Sequence, residues 1–181
     1  MSQGRPVVIT VGEEQRTVVI HEDYKLDELG ATLWGSAIVL CAAISDPGNF
    51  TAGWFVGKRV LDLGAGTGIM GLALAALGAR EVVLTDNEPR LLKIMQKNIS
   101  LNSASGRVMA RTHDWCKDAL PLRPPFDIIV ACDCIYEGGD GLVSTLQSCC
   151  AAEGIVLLAY EPRGQVWGES PFHQDLLQKF E

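Results

Sequence analysis

The sequence predicts an α/β fold: a doubly wound, mostly parallel sheet with helices on both faces, preceded by an N-terminal β-hairpin. Three observations point to it. From residue 59 onward, short apolar runs of strand length alternate with segments of helical length, as βαβ units do. The strand runs "RVLDLG", "EVVLTD", "FDIIVAC" and "GIVLLA" are nearly unbroken in apolar residues, as strands buried on both faces are. The glycines and acidic residues that stand out fall where those strands end, and open α/β sheets bind ligands beyond the carboxyl ends of their strands.

Each element has its own signal. Residues 6–20, "PVVITVGEEQRTVVI", hold two β-branched runs around the turn-like "GEEQ" and read as the hairpin. Residues 33–44, "LWGSAIVLCAAI", read as an apolar helix stopped by "SDPGN". The strand "RVLDLG" leads into the helix "GIMGLALAALG", which closes on Gly78. "EVVLTD" is the next strand, and "PRLLKIMQKNISLN" is a helix with proline in its first turn. "RVMART" is a strand. "FDIIVACDCIY" is a strand running into a loop, "GLVSTLQSCCA" a helix, "GIVLLAYE" a fifth strand and "SPFHQDLLQKFE" a last helix. Residues 1–30 are therefore expected to be a hairpin extension, and residues 31–181 one ligand-binding domain.

Composition narrows the function. The chain has 181 residues, 48% hydrophobic and 20% charged, enough for one sizeable core. Glycine or charge interrupts its apolar runs before about 18 residues, short of a membrane span. "MSQGRPVVITVGEEQRTVVI" lacks the apolar core of a secretory signal, so a cytoplasmic location, with the nucleus as a further one, is expected. The net charge of −7 argues against a nucleic-acid partner and agrees with a basic protein segment. No metal site is expected. The six cysteines form no C-x-x-C pair, and the histidines at 21, 113 and 173 are scattered. Cys132 and Cys134, two apart on a strand, should face the same side. Cys149–Cys150 should lie in a helix wall.

"DLGAGTG" places Gly64, Ala65 and Gly66 at the turn from strand to helix, preceded by the acidic Asp62. Glycine lets a ligand approach bare backbone, and the helix start favours electron-rich atoms. A dinucleotide loop would need its third glycine at position 69, which is Ile69. No P-loop lysine follows. Twenty residues after Gly66, the next strand ends on Asp86, where a carboxylate can take both hydroxyls of an adenosine ribose.

This pattern resembles the glycine motif of seven-strand S-adenosylmethionine-dependent methyltransferases, over most of the chain from residue 33. "DCIY", at Asp133 to Tyr136, is similar to the D-x-x-Y signature of protein-lysine methyltransferases of the methyltransferase-like 21 group. It lacks the prolines of the turn that adenine and glutamine methyltransferases carry there. "LWGSAIVL", "DW" at Asp114 and Trp115, and "YEPR" accompany it. The resemblance implies S-adenosylmethionine as cofactor, with Gly64, Ala65 and Gly66 cradling it and Asp86 holding its ribose. Trp34 would wall its methionine end, Trp115 would pack on the adenine and Cys132 would line the pocket. Asp133 would bind and orient the incoming lysine, with Tyr136 shaping the channel. The substrate would be a protein; enzymes of this group act on chaperones, an AAA ATPase and elongation factors. The group's sheet continues with further strands, so a chain this short is expected to lack the last ones.

Plainer readings stand beside these. Trp34 and Trp115 also read as core, Tyr136 as a strand-end tyrosine and Asp133 as a helix cap. A methyltransferase for small molecules and a non-catalytic, cofactor-binding interaction protein are the alternatives for the whole chain.

Overall fold

A computed structural model of the chain describes residues 6–26, 28–115, 123–135 and 140–161. Pro6–Val11 (β1) and Arg16–His21 (β2) pair antiparallel as the hairpin. A short 3-10 turn, Leu29–Ala31, precedes Gly35–Ser45 (α1). Strands and helices then alternate through Arg59–Leu63 (β3), Ile69–Ala76 (α2), Glu81–Asp86 (β4), Leu91–Leu101 (α3), Val108–Thr112 (β5), Phe126–Cys132 (β6), Asp140–Cys149 (α4) and Cys150–Ala159 (β7). The five strands from β3 onward form one sheet in the order β5-β4-β3-β6-β7, and every pairing is parallel. The strand order reverses between β3 and β6, which opens a crevice above their carboxyl ends. The expected α/β architecture, hairpin included, is what the chain adopts. The helix expected over residues 170–181 lies outside the described residues.

Alternation along each strand divides the core into two layers. Val60, Val82, Leu84, Ile128 and Val130 face a layer filled by α1, α2, α3 and the hairpin residues Val11, Val18 and Ile20. Leu61, Leu63, Val83, Ile129 and Ala131 face the other, where Leu142, Val143 and Leu146 of α4 pack. Helix α2 is buried from Ile69 to Ala75 because it lies against the sheet on one side and under the hairpin and α1 on the other.

Side-chain amides tie the hairpin to the sheet domain. Asn102, the residue that ends α3, accepts the Val19 N–H at 2.8 Å and donates to the Val19 carbonyl at 2.7 Å. Asn98, fully buried, does the same for His21 and donates as well to the Thr67 carbonyl in the glycine loop, at 2.9 Å. At the opposite end of the sheet Arg59 reaches Glu81 through two bonds of 3.0 Å and the Pro125 carbonyl at 2.7 Å.

Two cysteine expectations fail, for identifiable reasons. Strand β6 ends at Cys132, and Asp133 turns into the left-handed region at φ 50°. That turn reverses the alternation. Cys132 packs toward the hairpin layer while Cys134 is buried in the other, its thiol donating to the Leu63 and Cys132 carbonyls at 3.1 Å. Helix α4 stops at Cys149, and Cys150 opens β7, so the adjacent pair is divided between helix and strand.

Candidate functional site

A cavity of about 420 Å³ lies above the carboxyl ends of β3, β4 and β6, within the range of small-molecule sites, roughly 300–1,000 Å³. Its floor is the turn between β3 and α2. Gly64 and Gly66 hold φ 62° and 52°, which favour glycine. A β-carbon on Gly64 would stand 2.5 Å from the Cys134 sulfur, and one on Gly66 would stand 2.8 Å from the Gly30 carbonyl oxygen. The glycines are therefore required first by close packing of the protein on itself, which presses the loop into the base of the cavity. Backbone bonds complete the turn: Ala65 N–H donates to the Thr85 carbonyl at 2.8 Å and Gly68 N–H to the Ala65 carbonyl at 2.7 Å.

Two carboxylates fix this loop from below. Asp62, almost fully buried, accepts the Gly71 N–H at 2.8 Å and so anchors the first turn of α2. Burial pushes its carboxyl up to about 7; the Gly71 bond opposes the rise, and nearby Asp86 adds to it. Asp86 accepts the Gly66 N–H at 3.0 Å on one oxygen and the Glu88 N–H at 3.2 Å on the other. Burial raises its pKa too, against those backbone bonds. A carboxylate has about four acceptor positions, so Asp86 keeps some for a bound hydroxyl.

The walls come from both ends of the sheet. Trp34 is half-buried, belongs to neither core layer and lines the cavity; its indole N–H donates to the Leu29 carbonyl at 2.9 Å. Trp115 lines the opposite part and packs against the α4 layer. Cys132 and Asp133 border the cavity at the end of β6. The structure thus brings Trp34, Asp62, Gly64, Ala65, Gly66, Asp86, Trp115, Cys132 and Asp133 to one site. Tyr136 lies outside the described residues.

Sequence reasoning missed the cover. Residues 28–34 cross the cavity, with Glu28, Gly30 and Thr32 among its lining. Arg90 pairs with both Glu28 and Glu88, pinning that cover to the start of α3. The one sequence signal was the isolated glycine of "ELGATLW", which the structure explains by the Gly30–Gly66 backbone contact.

The lining is chemically one-sided. Glu28, Asp62, Asp86, Glu88, Asp114 and Asp133 contribute carboxylates, and among the described residues no Lys, Arg or His faces the cavity. A phosphate-bearing nucleotide would meet repulsion there, whereas a nucleoside carrying positive charge would be attracted. A sulfonium nucleoside such as S-adenosylmethionine, which has hydroxyls and cationic groups but no phosphate, fits this set.

Comparison with known proteins agrees. The profile of a family described as lysine methyltransferase matches residues 13–179. The chain is 33% identical to the zebrafish (Danio rerio) protein N-lysine methyltransferase METTL21A over 168 residues, covering 89% of this chain and 73% of that one. It is 32% identical to the Xenopus tropicalis EEF1A lysine methyltransferase 3, covering 84% of this chain and 66% of that one. With the Arabidopsis thaliana calmodulin-lysine N-methyltransferase it shares 34% identity but spans only 52% of that protein's length. Among solved structures, a TehB-like SAM-dependent methyltransferase from Corynebacterium glutamicum superposes with a TM-score of 0.57 at 20% identity, covering 83% of this chain and 73% of that one. That likeness concerns the fold.

Proposed function

Because the chain belongs to the lysine methyltransferase family, we propose that it methylates a lysine side chain of a protein substrate with S-adenosylmethionine as donor. The observation that carries the cofactor reading is the carboxylate-lined cavity without a cationic side chain among its described residues. In this reading the Gly64–Ala65–Gly66 turn cradles the cofactor, with Asp62 beneath it, and Asp86 takes the ribose hydroxyls. Trp115 covers the adenine, while Trp34 and Cys132 enclose the methionine end. Bound there, the cofactor supplies a methyl group activated by positive sulfur.

The chain's own task is to deliver the amine. A lysine ammonium has no lone pair and a reference pKa of about 10.4, so it must lose a proton before it can attack. Desolvation in a channel and nearby positive charge favour the neutral amine, while Asp133 favours the ammonium. Asp133 is therefore assigned to capture and orientation, with the proton leaving through water; Tyr136 shapes the channel. Positioning and exclusion of water provide the acceleration. The substrate is proposed to be a chaperone, an AAA ATPase or an elongation factor, the last in keeping with a relative named for EEF1A.

Radiolabelled methyl transfer into a lysate, followed by mass spectrometry of the labelled protein, tests the proposal. A methylated lysine is the expected product. Binding of S-adenosylhomocysteine with no protein labelled would favour a non-catalytic interaction protein instead.

A further inference from the structure

Asp133 occupies backbone space that non-glycine residues rarely adopt, at φ 50°, and such a residue persists where its surroundings over-determine it. Three bonds do so. Its own N–H donates to the Ala159 carbonyl at 2.8 Å. Its Oδ1 accepts the N–H of Glu161, just past β7, at 2.9 Å. Its Oδ2 accepts the hydroxyl of Ser36, in the first turn of α1, at 2.5 Å. Serine near a helix start usually turns its oxygen onto the helix's own backbone. Here α1 has no side-chain cap at Trp34, and Ser36 donates outward, across 97 residues of chain, to the carboxylate at the cavity rim.

We propose that Ser36 is a positioning residue for methyl transfer: its hydroxyl holds the Asp133 carboxylate at the cavity rim in the orientation that meets the incoming amine. This rests on the reading of Asp133 as the residue that orients the lysine. The N–H of Glu161 holds one oxygen of the carboxylate and the Ser36 hydroxyl holds the other. With a bond on each oxygen, the two donors together set the plane of the carboxylate. The Ser36 bond also joins two parts of the site, because Trp34, two residues before Ser36, walls the same cavity.

Sinefungin and S-adenosylhomocysteine, measured by calorimetry, test this without knowledge of the protein substrate. Sinefungin carries a primary amine in the place of the transferred methyl group, whereas S-adenosylhomocysteine carries nothing at that position. In the wild type, sinefungin should bind more tightly. Asp133→Asn should remove most of that preference, about tenfold, by removing a charge-assisted bond. Ser36→Ala should remove several-fold of it, Ser36→Thr should restore it, and the double variant should be no worse than Asp133→Asn. S-adenosylhomocysteine affinity should stay within twofold throughout, which certifies the fold. If Ser36→Ala keeps the wild-type preference while Asp133→Asn loses it, the positioning role is overturned and the reading of Asp133 stands. If neither variant alters the preference, both fall. If Ser36→Ala weakens S-adenosylhomocysteine as much as sinefungin, Ser36 serves only the fold and the proposal is overturned. If S-adenosylhomocysteine fails to bind the wild type, the cofactor reading falls and takes the proposal with it.

Discussion

Asp62 accepts the Gly71 N–H at 2.8 Å while almost fully buried, and burial lifts its carboxyl from near 3.8 to about 7. Between those values the folded chain binds more protons than the unfolded one, so this group's contribution to stability falls as pH rises from about 4 to about 7. Asp62→Asn keeps an acceptor for Gly71 and removes the titration. It should flatten that pH dependence and leave the free protein more stable than wild type at pH 8, by roughly 2–4 kcal/mol. Asp86 is raised as well, so a residual slope is expected. Urea unfolding at pH 5, 6, 7 and 8 reads the difference; an undiminished slope in the variant would mean that Asp62 is charged in the fold. At Gly66, a β-carbon would meet fixed backbone at 2.8 Å, whereas at Gly30 its nearest contact is the movable end of Leu91. Gly66→Ala should therefore cost about 2–3 kcal/mol and Gly30→Ala clearly less, as denaturant midpoints will show. The reason for the glycine at 66 was only half legible in the sequence: the loop pattern was visible, but not the backbone of Gly30 lying across it.

At the scale of elements, the β3–α2 and β4–α3 units were readable because apolar strands, glycine and an acid at the strand end agree. Strand β4, Glu81–Asp86, matches its expected span residue for residue. At the end of β6 the reading failed because of a single backbone angle. The left-handed turn at Asp133 ends β6 early and sends Cys132 and Cys134 to opposite layers, and no periodicity in "ACDCIY" announces it. The cover over residues 28–34 escaped notice because a three-residue 3-10 turn has no period to detect. Helix α3 carries the clearest element-level test. Asn98 satisfies the N–H and carbonyl of His21 and the carbonyl of Thr67 from a fully buried position, whereas Asn102 is only half-buried. Asn98→Ala strands those buried groups and should destabilise by about 3 kcal/mol; Asn102→Ala should cost about 1 kcal/mol. Equal losses in thermal unfolding would contradict this account of the amide pairs.

For the molecule as a whole, charge makes a prediction of its own. A net charge of −7 and a cavity lined by carboxylates should reject polyphosphates, so ATP should bind at least about a hundredfold more weakly than S-adenosylhomocysteine. ATP affinity within tenfold would overturn the assignment of the cavity to a phosphate-free nucleoside. The whole molecule also links its first strands to its site through one side chain, since Asn98 holds both β2 and the glycine loop. Order at either place is then shared by the other. A nucleoside settling on the loop should slow amide hydrogen exchange at His21, and at Val19 beyond it, though neither residue lines the cavity. The hairpin is in this sense a remote reporter of occupancy, more than forty residues of chain away from the loop it registers.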